Sequence, residues 1–204
     1  MTKLLLATSN PGKLAEMRQG LTDLLKKGWQ LLSLADLEIS QSPEETGQSF
    51  KENAELKARY YAQKTRLPVL ADDGGFVIPY LNGEPGVRSA RWLGNDSSEN
   101  NLIKHTLNKL ENARDKQRQA YLELVVCFYD PVKEILLFEN EKIAGIVAGK
   151  PSAKRVFGFP YRALLKVEPF NQYYDELSPK QHFQVNHRLR ALKKLRKQLD
   201  QYYE

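Results

Sequence analysis

Four stretches of the chain combine residue types that act on anions, cations and water. The first is Ala7-Thr8-Ser9-Asn10-Pro11-Gly12-Lys13, which lies between a short apolar run and an amphipathic one. A helix start offers free backbone N–H groups and the positive end of the helix dipole. Lys13 adds a full charge there, and Thr8, Ser9 and Asn10 donate or accept locally, so the stretch could cradle a phosphate. It lacks the Gly-x-x-x-x-Gly-Lys-Ser/Thr spacing of a Walker A loop. Taken alone, it is more simply a strand–turn–helix with Ser/Asn capping. The second stretch, Glu44 to Ala58, places Asn53 and Lys57 four residues apart on one helix face beside Phe50, with Glu44 and Glu45 in the preceding loop where they could meet a metal. An amphipathic surface helix with solvated charges accounts for the same pattern. The third is Val69-Leu70-Ala71-Asp72-Asp73-Gly74-Gly75, in which two carboxylates follow an apolar strand directly. The C-terminal ends of such strands face the crevices where α/β proteins bind ligands. With Glu45, the two acids make an all-oxygen set suited to Mg²⁺ or Mn²⁺ rather than Zn²⁺. A carboxylate near a bound cation also orients or deprotonates water. The competing account is a turn built by Asp and Gly. The fourth is Asn186-His187-Arg188, where a guanidinium could clamp phosphate oxygens. His105 and His182 have no motif around them and read as surface residues, and Cys127 reads as core.

The elements that must position these groups alternate. Lys3 to Ala7 is predicted as a strand, and Lys13 to Lys26 as a helix with Met17, Leu21, Leu24 and Leu25 on one stripe. A short strand near Trp29 to Leu32 and a polar loop from Ser40 to Gln48 follow. Ser49-Phe50-Lys51-Glu52 fits a capping box opening a helix to about Lys64, and Pro68 to Ala71 is a short buried strand. Asp72 to Gly94 is rich in Gly and Pro and reads as loop or hairpin, and Asn100 to about Lys116 as helix. Ala120 to Tyr129 and Glu134 to Glu139 read as strands joined at Asp130-Pro131, with Ile143 to Val147 as another. Ser178-Pro179-Lys180-Gln181 is a second capping box, before a last helix with the stripe Leu189, Leu192, Leu195 and Leu199. Strands interleaved with helices indicate an α/β domain with a partly antiparallel sheet.

Composition narrows the classes. With 204 residues and 41% hydrophobics, the chain suits one domain or two lobes sharing a cleft. One cysteine excludes an internal disulfide framework and a cysteine zinc site. No apolar run reaches the length of a membrane span, and the stretch at the start is too short for a signal peptide, so the expected setting is cytoplasmic. The net charge is +6, and residues 180–204 hold seven basic and two acidic groups. Such a tail could bind nucleic acid or a small polyanion, or form a solvated helix face.

In this order, the stretches at 7–13, 44–59, 71–75 and 187–188, together with Asn-Gly-Glu-Pro-Gly-Val-Arg-Ser-Ala-Arg-Trp at 82–92, resemble the inosine triphosphate pyrophosphatase family. The resemblance covers nearly the whole chain. It implies a single domain over residues 1–204: an elongated mixed β-sheet flanked by helices, with two lobes around a central cleft, in a homodimer. It implies Mg²⁺-dependent hydrolysis of deaminated purine nucleoside triphosphates (ITP, XTP and their deoxy forms) to a monophosphate and pyrophosphate. By position, Thr8, Ser9, Asn10, Lys13 and Lys57 would hold the triphosphate, with Asn53 beside Lys57. Glu45 and Asp73 would hold the metal, with Asp72 adjacent. Asp73 would be the base for water, and His187 and Arg188 would face phosphate and base.

The departures from the family pattern cluster in the base-reading part. Gly74 stands where the family has Ser. Val156-Phe157-Gly158-Phe159-Pro160-Tyr161 replaces Gly-Phe-Gly-Tyr-Asp-Pro, so Phe157 and Phe159 can still stack on a base while Pro160 offers neither carboxylate nor N–H. The Lys expected before the last helix falls near Gln172, and Asn186 stands for Ser. Losing polar partners relaxes or redirects base choice. Two other functions stay open on the sequence: a nucleotide-binding protein that has lost catalysis, and a nucleic-acid-binding module using the basic last helix.

Overall fold

Three consecutive leucines, Leu4 to Leu6, are completely buried, as expected of a strand covered on both faces. They form β1 (Lys3–Leu6) in a computed structural model that describes residues 2–94 and 97–203. The order continues α1 (Pro11–Gly20), α2 (Thr22–Lys26), β2 (Gln30–Ser33), α3 (Phe50–Thr65), β3 (Val69–Val77) and α4 (Glu99–Lys109). Then come β4 (Gln119–Asp130), β5 (Ile135–Val147), β6 (Leu165–Val167), β7 (Gln172–Tyr173), α5 (Pro179–Val185) and α6 (His187–Leu199), with short 3-10 turns between elements. The strands form one seven-stranded sheet in the order β2-β1-β3-β4-β5-β6-β7. Pairing is parallel between β1 and both β2 and β3, and antiparallel between β6 and both β5 and β7, so the sheet is mixed as expected. The chain divides into two compact units.

Unit 1 comprises Met1–Asp73, Leu124–Glu141 and His187–Glu204. Side chains alternate across a strand, so β1 and β3 feed two different cores. Leu4, Leu6 and Leu70 pack with Met17, Leu21 and Leu24 and with Ala191, Leu192, Leu195 and Leu199 of α6. Leu5, Val69 and Ala71 pack with Ala54, Ala58, Tyr61 and Ala62 of α3. Thus α1 and α6 serve one face of this part of the sheet and α3 serves the other. The approach of α1 to α6 depends on Gly20, where a Cβ would lie 2.6 Å from Leu192 Cδ1. Cys127 is buried in the α3-side core as expected, and burial pushes its thiol up to about 12.

Unit 2 comprises Gly74–Glu123 and Lys142–Asn186. Its core gathers Phe76, Ile78, Leu102, Ile103, Val147, Tyr161, Leu165 and Tyr174, with Phe76 and Tyr161 stacked at 5.0 Å. The Arg118 guanidinium donates to the carbonyls of Leu110, Val147 and Ala148, which ties the α4–β4 connection to the end of β5.

The cap at Ser178 forms as the sequence predicts, and the one at Ser49 forms in part, its return bond falling one residue early. Ser49 Oγ accepts from the Glu52 N–H, while the Glu52 carboxylate reaches back to the Gln48 N–H. Ser178 and Gln181 cap α5 reciprocally. Five boundaries differ from the expectation, the first being the helix predicted over 100–116, which ends at Lys109. The helix predicted over 13–26 breaks at Leu21, whose backbone leaves helical geometry at φ −108° and ψ 11°, and Leu25 is left 49% exposed. The predicted loop after Ala71 is instead strand as far as Val77. Gly75 permits this, since a Cβ there would stand 2.2 Å from Ser89 Oγ and 2.5 Å from the Gly86 carbonyl. The strands predicted at 134–139 and 143–147 are one continuous β5, and the final helical region breaks at Asn186 into α5 and α6. The two short strands β6 and β7 are too brief for a period to be read.

Replacing Gly20 by Val should destabilise the chain by about 1–3 kcal/mol, because a branched side chain must push α1 off Leu192. Urea unfolding checks this as a lower midpoint at unchanged slope; an unchanged midpoint would show slack between α1 and α6.

Candidate functional site

Asp72 and Asp73 are adjacent on β3, so the pleat sends their side chains to opposite faces. Each is buried, and each must therefore find a cation or donors on its own face. The sequence placed them side by side in one oxygen set; the fold gives them two environments, both within unit 1.

On the α1/α6 face, Asp72 Oδ2 accepts from Arg188 Nε at 3.3 Å and Nη2 at 2.8 Å, and stands 3.2 Å from Lys13 Nζ. Glu16 follows Lys13 by three residues, on the same side of α1, and takes the Nη1 of Arg188. Arg188 is 3% exposed and Asp72 1%. Burial pushes the Asp72 carboxyl up, but Arg188 and Lys13 outweigh it and hold the group well below the usual carboxylate range. Burial also lowers Lys13, with Asp72 opposing the shift. The second Asp72 oxygen, Oδ1, is buried without a hydrogen-bond partner among the described residues. His187 is buried in the first turn of α6.

On the α3 face, Asp73 Oδ2 accepts from Asn53 Nδ2 at 3.2 Å, and Oδ1 lies 3.2 Å from Lys57 Nζ. The same ammonium is 2.8 Å from Glu45 Oε1. Asn53 and Lys57 share a helix face as predicted, and the Asn53 carbonyl oxygen takes the Gly47 N–H at 2.8 Å. That bond fixes both the amide and the loop carrying Glu45. A Cβ on Gly47 would sit 2.6 Å from the same oxygen, so the approach needs glycine. Burial raises the Asp73 carboxyl above its ordinary value, with Lys57 and Lys13 only partly opposing. Burial would lower Lys57, but Asp73, Asp72 and Glu45 outweigh it and raise its pKa.

Among the described residues, no three His, Cys, Asp or Glu side chains gather to hold a metal. Glu45 and Asp73 share one cation, while Asp72 is engaged on the other face. Glu44 is exposed. In the loop before α1, Asn10 Oδ1 accepts from the N–H groups of Gly12 and Lys13 at 2.9 and 3.1 Å, so two donors of the expected phosphate cradle already have a partner. Thr8 Oγ1 accepts from the Asn10 N–H, and Ser9 is exposed.

Of the residues assigned to base reading, Gly74, Gln172 and the 156–161 stretch belong to unit 2. Phe157 is 85% exposed, and one face of the Phe159 ring is covered by the Arg162 guanidinium at 3.5 Å. The Gly158 N–H donates to Glu99 Oε1, Pro160 opens a 3-10 turn, Gly74 lies within β3, and Gln172 on β7 accepts from Gln181 Nε2 at 3.2 Å. His105 and His182 are not simple surface residues: each is half-buried, edge-on to Trp92 at 4.7 Å and to Tyr174 at 4.9 Å.

Two features escaped the sequence. Glu16 carried a usable signal in its spacing from Lys13. Asp175 carried none. It is buried beside Arg162, its Oδ2 accepts from the Val156 N–H, and its Oδ1 has no partner among the described residues. Burial, opposed by Arg162, pushes this carboxyl up to about 6. The basic side of α6, expected to be solvated, is partly paired: Arg190 and Lys194 both meet Glu141, at 3.0 and 2.8 Å, and Arg196 meets Asp23. No helix among the described residues is long and apolar enough to cross a membrane.

The sequence profile of the Ham1 family matches residues 4–198. The dITP/XTP pyrophosphatase of Legionella pneumophila (strain Lens) is 39% identical over 197 residues, spanning 96% of this chain and 97% of that protein. The dITP/XTP pyrophosphatase of Haemophilus influenzae is 34% identical over 97% of this chain and 98% of that one. Among solved structures, a HAM1 protein from Coxiella burnetii superposes with a TM-score of 0.86 at 34% identity, covering 98% of this chain and all of that one. The Staphylococcus aureus Ham1 protein gives 0.84 at 29% identity, with the same coverage.

Removing the buried Arg188 charge takes a cation from both Asp72 and Glu16. Arg188→Met should cost about 3–5 kcal/mol at pH 7. Because the folded-state Asp72 pKa is depressed, the stabilisation it gains from Arg188 is present above its ordinary value of 3.8 and is lost as pH falls. The gap between variant and wild type should therefore narrow in urea titrations below pH 4. Asp175 has the opposite sign: its folded pKa is raised, so its cost builds as pH rises from about 4 to about 6. Asp175→Asn should gain about 2 kcal/mol relative to wild type between pH 4 and pH 7. A pH-independent difference would show that this carboxyl is not desolvated.

Proposed function

The chain belongs to the Ham1 family, and from that premise we propose that it is a hydrolase of deaminated purine nucleoside triphosphates. On this reading ITP, dITP and XTP are converted to the monophosphate and pyrophosphate. The relatives named dITP/XTP pyrophosphatase supply the substrate class. The observation that carries the reading is the Glu45–Lys57–Asp73 group: two carboxylates fixed around one cation, with a half-buried lysine and a buried arginine meeting the adjacent Asp72.

Hydrolysis at the α-phosphorus forms a bond from water oxygen to phosphorus and breaks the bond to the oxygen bridging α and β. Asp73 is the group that aims the water and takes its proton. Lys13 and Lys57 screen the polyphosphate charge. Arg188 serves mainly through Asp72 and Glu16, which already occupy its donors. The donor set fits Mg²⁺, with Mn²⁺ as a substitute. Such ions bind through one or two carboxylates, with phosphates and water completing the shell, and Glu45 and Asp73 would hold the ion. When bound, the metal supplies charge neutralisation on the phosphates. In unit 2, the Phe157 ring is 85% exposed, and Pro160 and Gly74 carry no polar side-chain group. Residues 1–204 act as a single pyrophosphatase domain in a cytoplasmic homodimer.

Purified protein with Mg²⁺ and a panel of ITP, dITP, XTP, dUTP and the common triphosphates should release pyrophosphate most rapidly from the deaminated purines. Asp73→Asn should lower turnover by about 10²–10⁴-fold without unfolding the chain. No pyrophosphate from any member of the panel, with the protein folded, would overturn the reading.

A further inference from the structure

The ammonium of Lys57 occupies the place between Glu45 and Asp73 that a divalent ion would need. Its nitrogen is 2.8 Å from Glu45 Oε1 and 3.2 Å from Asp73 Oδ1. The carboxylates cannot easily move apart to admit a second cation. Asp73 is tied through Oδ2 to Asn53, and Asn53 in turn holds the Gly47 N–H of the loop that carries Glu45. The lysine side chain is 13% exposed, so its charge is shielded from water and depends on these two partners. A magnesium-sized ion takes oxygen ligands at about 2.0–2.1 Å. An ammonium and a divalent ion at the same two oxygens would repel strongly in a partly desolvated site.

We propose that Lys57 is the resident cation of the Glu45–Asp73 pair, and that a divalent ion enters only by exchange with it as the ammonium moves onto an incoming polyphosphate. The inference rests on the metal-dependent reading above and adds an order of events to it. Without nucleotide, metal competes with an internal cation and binds weakly. With nucleotide, the displaced ammonium gains new anionic partners and the competition disappears, so metal and polyphosphate bind with positive coupling. Lys57 thereby prevents the buried Asp73 and the half-buried Glu45 from facing each other unneutralised in the unliganded protein.

The test is a titration of the full chain with Mn²⁺ alone, with free ion followed by electron paramagnetic resonance and folding checked by circular dichroism. Lys57→Met should bind Mn²⁺ at least tenfold more tightly than wild type, whereas Lys57→Arg, which keeps a cation in place, should not. Wild-type binding that Lys57→Met leaves unchanged or weakens would overturn the exchange while sparing the metal site. Absence of binding in every form would overturn both. If Lys57→Met does not fold, the ¹⁵N-lysine spectrum of the wild type decides. The Lys57 ammonium resonance should shift when Mg²⁺ is added with a non-hydrolysable triphosphate analogue, and an unchanged resonance at saturation would overturn the exchange.

Discussion

The arrangement of unit 1 follows from one constraint: two neighbouring carboxylates on a buried strand must be neutralised on opposite faces of the sheet. An uncompensated buried charge costs several kcal/mol, so β3 is tolerable only if each face brings its own partners. One face receives Lys13 from α1 and Arg188 from α6. The other receives Asn53 and Lys57 from α3. The apolar cores are built to deliver these helices: Met17 and Leu192 lie on the side of Leu70, and Ala54 and Ala58 on the side of Ala71. Packing and charge compensation therefore impose the same helix positions. Gly20 and Gly47 make close approaches where a side chain would disturb one of these deliveries.

The same constraint sets the chemistry. Environments that push neighbouring acids in opposite directions separate their roles. Asp72 accepts a guanidinium and an ammonium and stays ionised across the ordinary pH range. Asp73 is raised by burial, and its carboxylate accepts a proton more readily than Asp72. The pair thus divides into a fixed negative charge that orders cations and a proton acceptor that faces a different set of groups. Arg188 illustrates the cost of such order: with Asp72 and Glu16 holding its fork, it contributes as part of the scaffold for charge rather than as a free clamp.

Much of this was legible in the residues, for identifiable reasons. The caps at Ser49 and Ser178, the Leu189-to-Leu199 stripe and the Asn53–Lys57 face are local features with a short period or a fixed offset, and they survive folding, with only the return bond at Ser49 displaced by one residue. The division of Asp72 from Asp73 was hidden because the Gly-Gly that follows reads as a turn, whereas here it lets strand pass beside Ser89. Once β3 is known to run through both acids, the period of two sends them apart. Asp175 and Arg162 were not legible because no local offset links them: they are brought together by the turn at 160–163 and the turn after β7. The break between α1 and α2 at Leu21 was missed because an uninterrupted apolar stripe gives no sign of where a helix loses phase.

The positive charge of the chain is best understood by where each cation sits rather than by how many there are. The excess in residues 180–204 is large on paper, yet Arg190 and Lys194 share Glu141, and Arg196 meets Asp23, in pairs of the exposed or half-exposed kind that contribute little energy. Lys13, Lys57 and Arg188 are few, but each is largely withdrawn from water and set against a carboxylate. In that setting a charge interacts several times more strongly than at the surface. Facing Glu16, Glu45, Asp72 and Asp73, these three cations carry no net positive charge as a group, so they act on a polyanion only by exchanging partners or together with a metal ion, and the basic side of α6 is partly spent on its own acids. A surface for nucleic acid requires the reverse distribution, with free cations spread along an exposed face.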